Sequence, residues 1–222
     1  MKILISFLLI AFTCSLYSQE NKRPDFGAYY YHKKDLFEKL PNTEHEIIFL
    51  GNSITDGAEW SELFNDLRIK NRGISGDITD GILYRLDEVT ESKPDKIFLM
   101  IGVNDLARGT SSQQILLNYE KIIKTIKDDS PKTKLFIESV LPVNNAFSGF
   151  KNHTSKNKEI IALNNDLKAL AITFSAKYLD LHSSFLDNNG KLDAKYTEDG
   201  LHLNGAGYML WKSKIEDYVT EK

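Results

Sequence analysis

Three short runs in this chain are apolar almost throughout: EIIFLG at 46–51, KIFLMIG at 96–102 and KLFIESV at 134–140. Each is four to seven residues long and bounded by glycine, proline or polar turns, with LRIKN and KYLDL as weaker versions. A strand with one wet face alternates apolar and polar residues, so an unbroken run of this length reads as a strand buried on both faces. Few architectures bury both faces of a sheet.

Helical periods separate the runs. ITDGILYRLDEVTES sets Ile78, Ile82, Leu86 and Val89 on one stripe, and SSQQILLNYEKIIKTIKDD does the same with Ile115, Tyr119, Ile122 and Ile126. KNKEIIALNNDLKALAITFSAK repeats it with Ile160, Leu163, Leu167 and Leu170. Each stripe is the core-facing side of an amphipathic helix. Strand and helix alternating at this spacing predict an α/β fold, a three-layer α/β/α sandwich around a parallel sheet of about five strands. Residues 19–45 lack a strand period and read as an N-terminal arm with a short helix. No repeat or low-complexity linker divides the chain, so 19–222 is expected to be one domain.

Ligands of such sheets bind outside the carboxyl ends of the strands. There the chain places Asn52 and Ser53 in GNSITDG, Asn71, Arg72 and Gly73 in NRGISGD, and Gly102, Val103, Asn104 and Asp105 in GVND. Near the C-terminus DGLHLNGAG adds Asp199 and His202. Acyl transfer needs this set of residue types. A serine hydroxyl becomes a nucleophile when a histidine removes its proton, and a carboxylate on the other ring nitrogen sets tautomer and orientation. Hydrogen-bond donors must also face the oxygen of the tetrahedral intermediate. The spacing of three lets one turn present both Asp199 and His202. The donors would be the N–H groups of Ser53 and Gly73 and the side-chain amide of Asn104.

Taken singly, each residue has a plainer reading. Ser53 could cap the next helix, Gly73 could serve a turn, Asn104 and Asp105 could close a strand-to-helix turn, and Asp199 with His202 could be a cap and a surface histidine. Four such features in order at strand ends favour the catalytic reading. His182, beside Asp180 in YLDLHSS, is the competing base, and a surface or structural role suits His32, His45 and His153. Asp105 is expected to brace its loop, and Asp77 and Asp80 to start the following helix.

The blocks GNSITDG, NRGISGD, GVND and DGLHL together resemble the SGNH hydrolases, the GDSL esterase/lipase superfamily, over about residues 46–215. Asn52 stands where the G-D-S-L form has aspartate. The resemblance implies a flavodoxin-like fold, Ser53 as nucleophile, His202 as base, Asp199 as its orienter, and Gly73 and Asn104 completing the oxyanion hole with the Ser53 amide. NRGISGDITDGILYRLDEV looks closest to the branch around the catalytic subunits of platelet-activating-factor acetylhydrolase and bacterial acetylesterases, which implies short acyl groups, chiefly acetyl. The expected function is a serine esterase acting on O-acetyl groups of carbohydrate, without cofactor or metal. Lysophospholipase, lipase or thioesterase activity is the alternative within the superfamily, and a silent glycan-binding module the alternative outside catalysis.

Other features bound the setting. MKILISFLLIAFTCSLYS has an early lysine, an uncharged apolar run and a small-residue end, which reads as a cleavable signal at 1–18. The run is short of the about 20 residues of a membrane span, so the expectation is a secreted or periplasmic protein with no stable span after cleavage. Cys14, the only cysteine, lies inside that segment, and its removal excludes disulfides and thiol catalysis. The net charge of −3 comes from mixed signs without long runs, which points away from nucleic acid, a partner usually marked by a basic face, and toward a small-molecule or glycan ester. DNNGKLD at 187–193 superficially resembles a calcium loop, but its glycine is at the fourth position where that pattern needs the sixth, and it reads as a turn. NHT at Asn152 is a glycosylation acceptor in form only. The segment PVNNAFSGFKNHTSKN at 142–157 carries Phe147 and Phe150 as candidate substrate contacts, or is a mobile surface loop.

Overall fold

Both faces of the apolar runs are buried in a five-stranded sheet. The computed structural model describes residues 23–221; the expected signal segment 1–18, with Cys14, lies outside them. The chain forms α1 (Ala28–Lys39), β1 (Ile47–Gly51), α2 (Ser53–Asp56), α3 (Trp60–Phe64), β2 (Ile69–Gly73), α4 (Thr79–Tyr84) and α5 (Leu86–Thr90). It continues with β3 (Lys96–Met100), α6 (Val103–Ala107), α7 (Ser112–Asp129), β4 (Lys134–Glu138), α8 (Lys151–Thr154), α9 (Asn157–Thr173), β5 (Lys177–Leu179) and α10 (Gly205–Thr220).

The strand order is β2-β1-β3-β4-β5, with every neighbouring pair parallel. This is the flavodoxin-like order, in which the chain direction across the sheet reverses between β1 and β3 and opens a crevice there. Gly51 at the end of β1 lies level with Gly73 of β2 and Met100 of β3. Ser53 and Asn104 both follow strands that border the crevice. The expected α/β sandwich is therefore present.

Phe49, Phe98 and Phe136 are in register on β1, β3 and β4 and stack with ring centroids 4.9 and 4.5 Å apart. Trp60 stacks on Phe49 at 4.0 Å, and Trp211 of α10 meets Trp60 edge-on at 4.8 Å. Each such ring removes 150–250 Å² from water, and truncating one to alanine typically costs about 3–5 kcal/mol. The α7 stripe Ile115, Tyr119, Ile122 and Ile126 is wholly buried, as are Ile160, Leu163 and Leu167 of α9. The stripe predicted over 78–92 differs from expectation. It breaks at Arg85 into α4 and α5, and Ile78 precedes the helix. At that break the guanidinium of Arg85 turns inward to the strand ends.

One charge-bearing side chain lies inside this aromatic layer. Glu138 shares the strand face of Phe136, is 1% exposed, and accepts a hydrogen bond from Trp211 Nε1 at 2.8 Å. Burial pushes its carboxyl up to about 8 from an ordinary 4.5, against the smaller opposing effect of the indole bond. Folding therefore retains a proton that the unfolded chain releases. The stability tied to this proton is complete below pH 4.5 and is lost as pH rises toward 8. Glu138→Gln keeps the acceptor without the titration. The variant should match the parent near pH 4.5 and gain on it up to pH 8, by about 1.4 kcal/mol per pH unit at most. Urea denaturation at several pH values measures this, and parallel profiles for the two proteins would contradict it.

Candidate active site

At the end of β1 the chain turns abruptly into α2. A Cβ on Gly51 would collide with Thr55 Oγ1 and with the Met100 carbonyl, so only glycine permits the turn. Asn52 is the N-cap: its Oδ1 accepts from Ile54 N–H at 3.0 Å. The capping role considered for Ser53 thus belongs to its neighbour, and an amide can fill it as well as the aspartate of the G-D-S-L form. The Ser53 hydroxyl is left to meet His202 Nε2 at 3.0 Å. Ser53 N–H is at the first helical position, where a helix supplies no partner for the amide.

His202 is held by the tight turn that carries Asp199. Asp199 Oδ1 accepts from the backbone N–H of Leu201 (2.9 Å) and His202 (2.8 Å), and Oδ2 lies 2.7 Å from His202 Nδ1. Burial acts to raise the Asp199 pKa, but these hydrogen bonds outweigh it and hold the carboxyl below its ordinary value. An ionised carboxylate only accepts, so Nδ1 carries the proton and the Nε2 lone pair faces Ser53. Gly200 makes the turn with φ +83°, and a Cβ there would strike the Asn144 carbonyl. Asn144 N–H in turn donates to the Gly200 carbonyl at 2.8 Å, tying the turn to the segment after β4.

Asn104 is the second residue of α6 and is buried. Its Nδ2 donates to the Asp77 carbonyl at 2.8 Å, and its Oδ1 lies 3.0 Å from His153 Nε2. A backbone carbonyl only accepts, which settles the orientation of the amide and leaves one Nδ2 hydrogen for a ligand. Gly73 lies directly under α2, where a Cβ would collide with the backbone of Asp56 and Thr55. Its N–H donates to Asn71 Oδ1 at 2.8 Å, so it reaches an oxyanion only by sharing or exchanging that bond. The arrangement leaves the Ser53 amide and the Asn104 side chain as the readier donors.

Phe150 and Phe147 separate. Phe150 stands edge-on to His202, ring centroids 5.0 Å apart, and is half-exposed, whereas Phe147 packs against Gly200 of the Asp199–His202 turn. His182 is buried and does not pair with Asp180, whose carboxylate instead accepts from Ser183 N–H and Oγ. The Nε2 of His182 is buried without a hydrogen-bond partner among the described residues. The 187–193 segment is a turn around Gly190, with Asp187 accepting from Asn189 and Lys191 N–H. Asp105 braces its loop as expected, accepting from Thr79 N–H and Oγ1.

Asp77 does more than start the helix, where its Oδ1 accepts from Ile78 N–H at 2.9 Å at the entry to α4. Its Oδ2 accepts from Arg85 Nε at 3.0 Å, and burial, opposed by Arg85, raises its carboxyl to about 6. Arg85 is fully buried and also donates to Glu88, to the Gly51 carbonyl (3.3 Å) and to the Arg72 carbonyl (2.8 Å). One guanidinium thereby joins the last turns of β1 and β2 to Asp77, whose own carbonyl holds Asn104. Asp56, three residues after Ser53, is another residue that spacing did not reveal. It accepts from Tyr29 and Lys33 of α1 and from Ser75 of the loop after β2, docking the N-terminal helix onto α2. Among the described residues no cluster of three or more His, Cys, Asp or Glu side chains could hold a metal, and no helix is long and apolar enough to cross a membrane.

Platelet-activating factor acetylhydrolase IB subunit alpha2 of Homo sapiens is 27% identical over 184 residues, covering 80% of this chain and 77% of that one. A Streptococcus pneumonia protein provisionally described as a platelet activating factor superposes with TM-score 0.78 at 30% identity, over 86% of this chain and 92% of its own. An acetyl xylan esterase, AlAXEase, shares the fold at TM-score 0.66 and 23% identity, over 78% of this chain and 99% of its own. Residues 49–210 match the GDSL-like Lipase/Acylhydrolase family. The chain belongs to that family, within the SGNH superfamily, and is a carboxylic ester hydrolase.

Proposed function

We propose that the protein removes short acyl groups, most of all acetyl, from oxygen esters of carbohydrate through an acyl-enzyme on Ser53. The observation that carries this reading is the unbroken chain from Ser53 Oγ through His202 to the Asp199 carboxylate. Ser53 Oγ attacks the ester carbonyl carbon while its proton passes to His202 Nε2. The carbonyl oxygen takes up the negative charge and is met by Ser53 N–H and the free Asn104 hydrogen. Collapse breaks the bond to the alcohol, which leaves with the proton from Nε2. Water, deprotonated by His202, then attacks the acyl carbon, and the same groups release acetate and restore Ser53. Asp199 keeps Nδ1–H directed and balances the imidazolium without itself taking the proton.

The acetyl preference is supported by the similarity to the acetylhydrolase subunit and to the acetyl xylan esterase. The carbohydrate setting is further supported by the signal-like segment, in keeping with a secreted or periplasmic enzyme, and by the aromatic Phe150 beside His202. Phe147 would act on substrate only through the turn it supports. The test is hydrolysis of p-nitrophenyl esters from acetyl to palmitoyl, followed by acetate release from acetylated xylo-oligosaccharides. Turnover should fall at least about tenfold beyond butyryl, since mismatched acyl methylenes each change transition-state binding by about 1–3 kcal/mol. A preference for long chains would overturn the short-acyl reading in favour of a lipase.

A further inference from the structure

We infer that His153 is a positioning residue for the oxyanion hole, holding the Asn104 amide from the side opposite Asp77 so that its remaining N–H points at the reacting oxygen. The inference rests on the proposed serine-esterase reading of Ser53 and Asn104. Nothing in the spacing of the chain marks His153, which is 49 residues from Asn104 in sequence and lies 3.0 Å from it in space.

The hydrogen-bond logic leaves one solution. Asn104 Nδ2 must donate to the Asp77 carbonyl, so Oδ1 is the atom facing His153, and Nε2 must carry a proton to bond it. The ring is half-buried, and that burial, with the nearby His202 ring and the Arg108 guanidinium adding to it, lowers its pKa. A neutral imidazole protonated on Nε2 satisfies all of these contacts. A primary amide held at one end can swing about its last torsion. Held at both ends, it keeps its free N–H on one line without reorganising as charge develops, which is the source of oxyanion-hole catalysis. A donor on Oδ1 also polarises the amide and strengthens its N–H as a donor.

The backbone that presents His153 is built for a single geometry. Phe150 adopts the left-handed conformation (φ 49°, ψ 40°) at the start of α8, a strained state for a residue with a side chain that persists only where surroundings impose it. Its carbonyl accepts from the N–H groups of His153 (2.8 Å) and Thr154 (2.9 Å). Its ring contacts both histidines, 5.8 Å from His153 and 5.0 Å from His202. One four-residue helix thus touches the catalytic base through Phe150 and the oxyanion amide through His153.

A double-mutant cycle on p-nitrophenyl acetate tests this, with the parent and Ser53→Ala measured alongside. His153→Ala should lower kcat by about 10–50-fold, less than the 100-fold or more typical of losing an oxyanion donor outright, with KM within about twofold of the parent because the interaction matters in the transition state. His153→Gln, whose Nε2 can donate to the same Oδ1, should recover most of the loss. In an Asn104→Ala background, His153→Ala should change kcat by no more than about twofold, the non-additivity expected of residues that act as a unit. Full kcat in His153→Ala, no rescue by Gln, or additive losses would overturn the positioning role while leaving the esterase reading intact. Absence of Ser53-dependent turnover in the parent would instead defeat the esterase reading and this inference with it.

Discussion

Replacing Ser53 by alanine should lower ester turnover by on the order of 10⁴-fold or more, the scale seen when a triad nucleophile is removed, while the protein stays folded. The fold survives because Asn52, and not Ser53, caps α2, and because the lost hydroxyl gives up one hydrogen bond worth about 1 kcal/mol net. Steady-state kinetics on p-nitrophenyl acetate, with a thermal melt as control, check both halves. Turnover within tenfold of the parent would place the nucleophile elsewhere. A collapse of the melt would show that the hydroxyl is structural.

The second large effect concerns a residue that contacts no substrate. Arg85→Met removes about 3–5 kcal/mol of stability, the usual cost of deleting one member of a buried ion network. The carboxylates of Asp77 and Glu88 would remain inside, where burial already raises both pKa values against the pull of Arg85. The carbonyls of Gly51 and Arg72 would lose a donor each. Arg85→Lys should recover less than half of the loss, since one ammonium cannot reproduce a planar fork spread over four partners. Because those carbonyls immediately precede Asn52 and Gly73, ester turnover should fall in Arg85→Met even under conditions where it is folded. Urea denaturation that shows a change below 1 kcal/mol would contradict the network's role.

These two residues mark what the sequence could and could not reveal. Ser53, Asn104, Asp199 and His202 were visible because each sits at a fixed offset from an apolar run or a glycine-rich turn, and local spacing encodes strand ends. The both-face burial of β1 and β3 was legible for the same reason, since an unbroken apolar run has no other comfortable place. Arg85 was not legible. In a helical stripe its position reads as a solvent-facing arginine, and only the strand carbonyls 34 and 13 residues away in sequence draw it inward and break the helix. His153 was hidden in the same way: within KNHTSK it looks like a surface residue, and its partner is supplied by another strand end. Asp77 stands just before the N-terminus of α4, where an aspartate reads as a helix starter, yet its carboxylate also bonds Arg85. Long-range polar contacts of this kind leave no period in a single sequence.

In the proposed mechanism Ser53 Oγ carries the acyl group and His202 activates it. Treating the folded protein with a fluorophosphonate and measuring its intact mass, then mapping the labelled peptide, tests this most directly, because the reagent reacts with a serine that a neighbouring base has activated. The account predicts a single adduct on Ser53, absent from Ser53→Ala and strongly slowed in His202→Ala. An adduct on another residue, or an unlabelled Ser53 in protein that turns over acetyl esters, would contradict it.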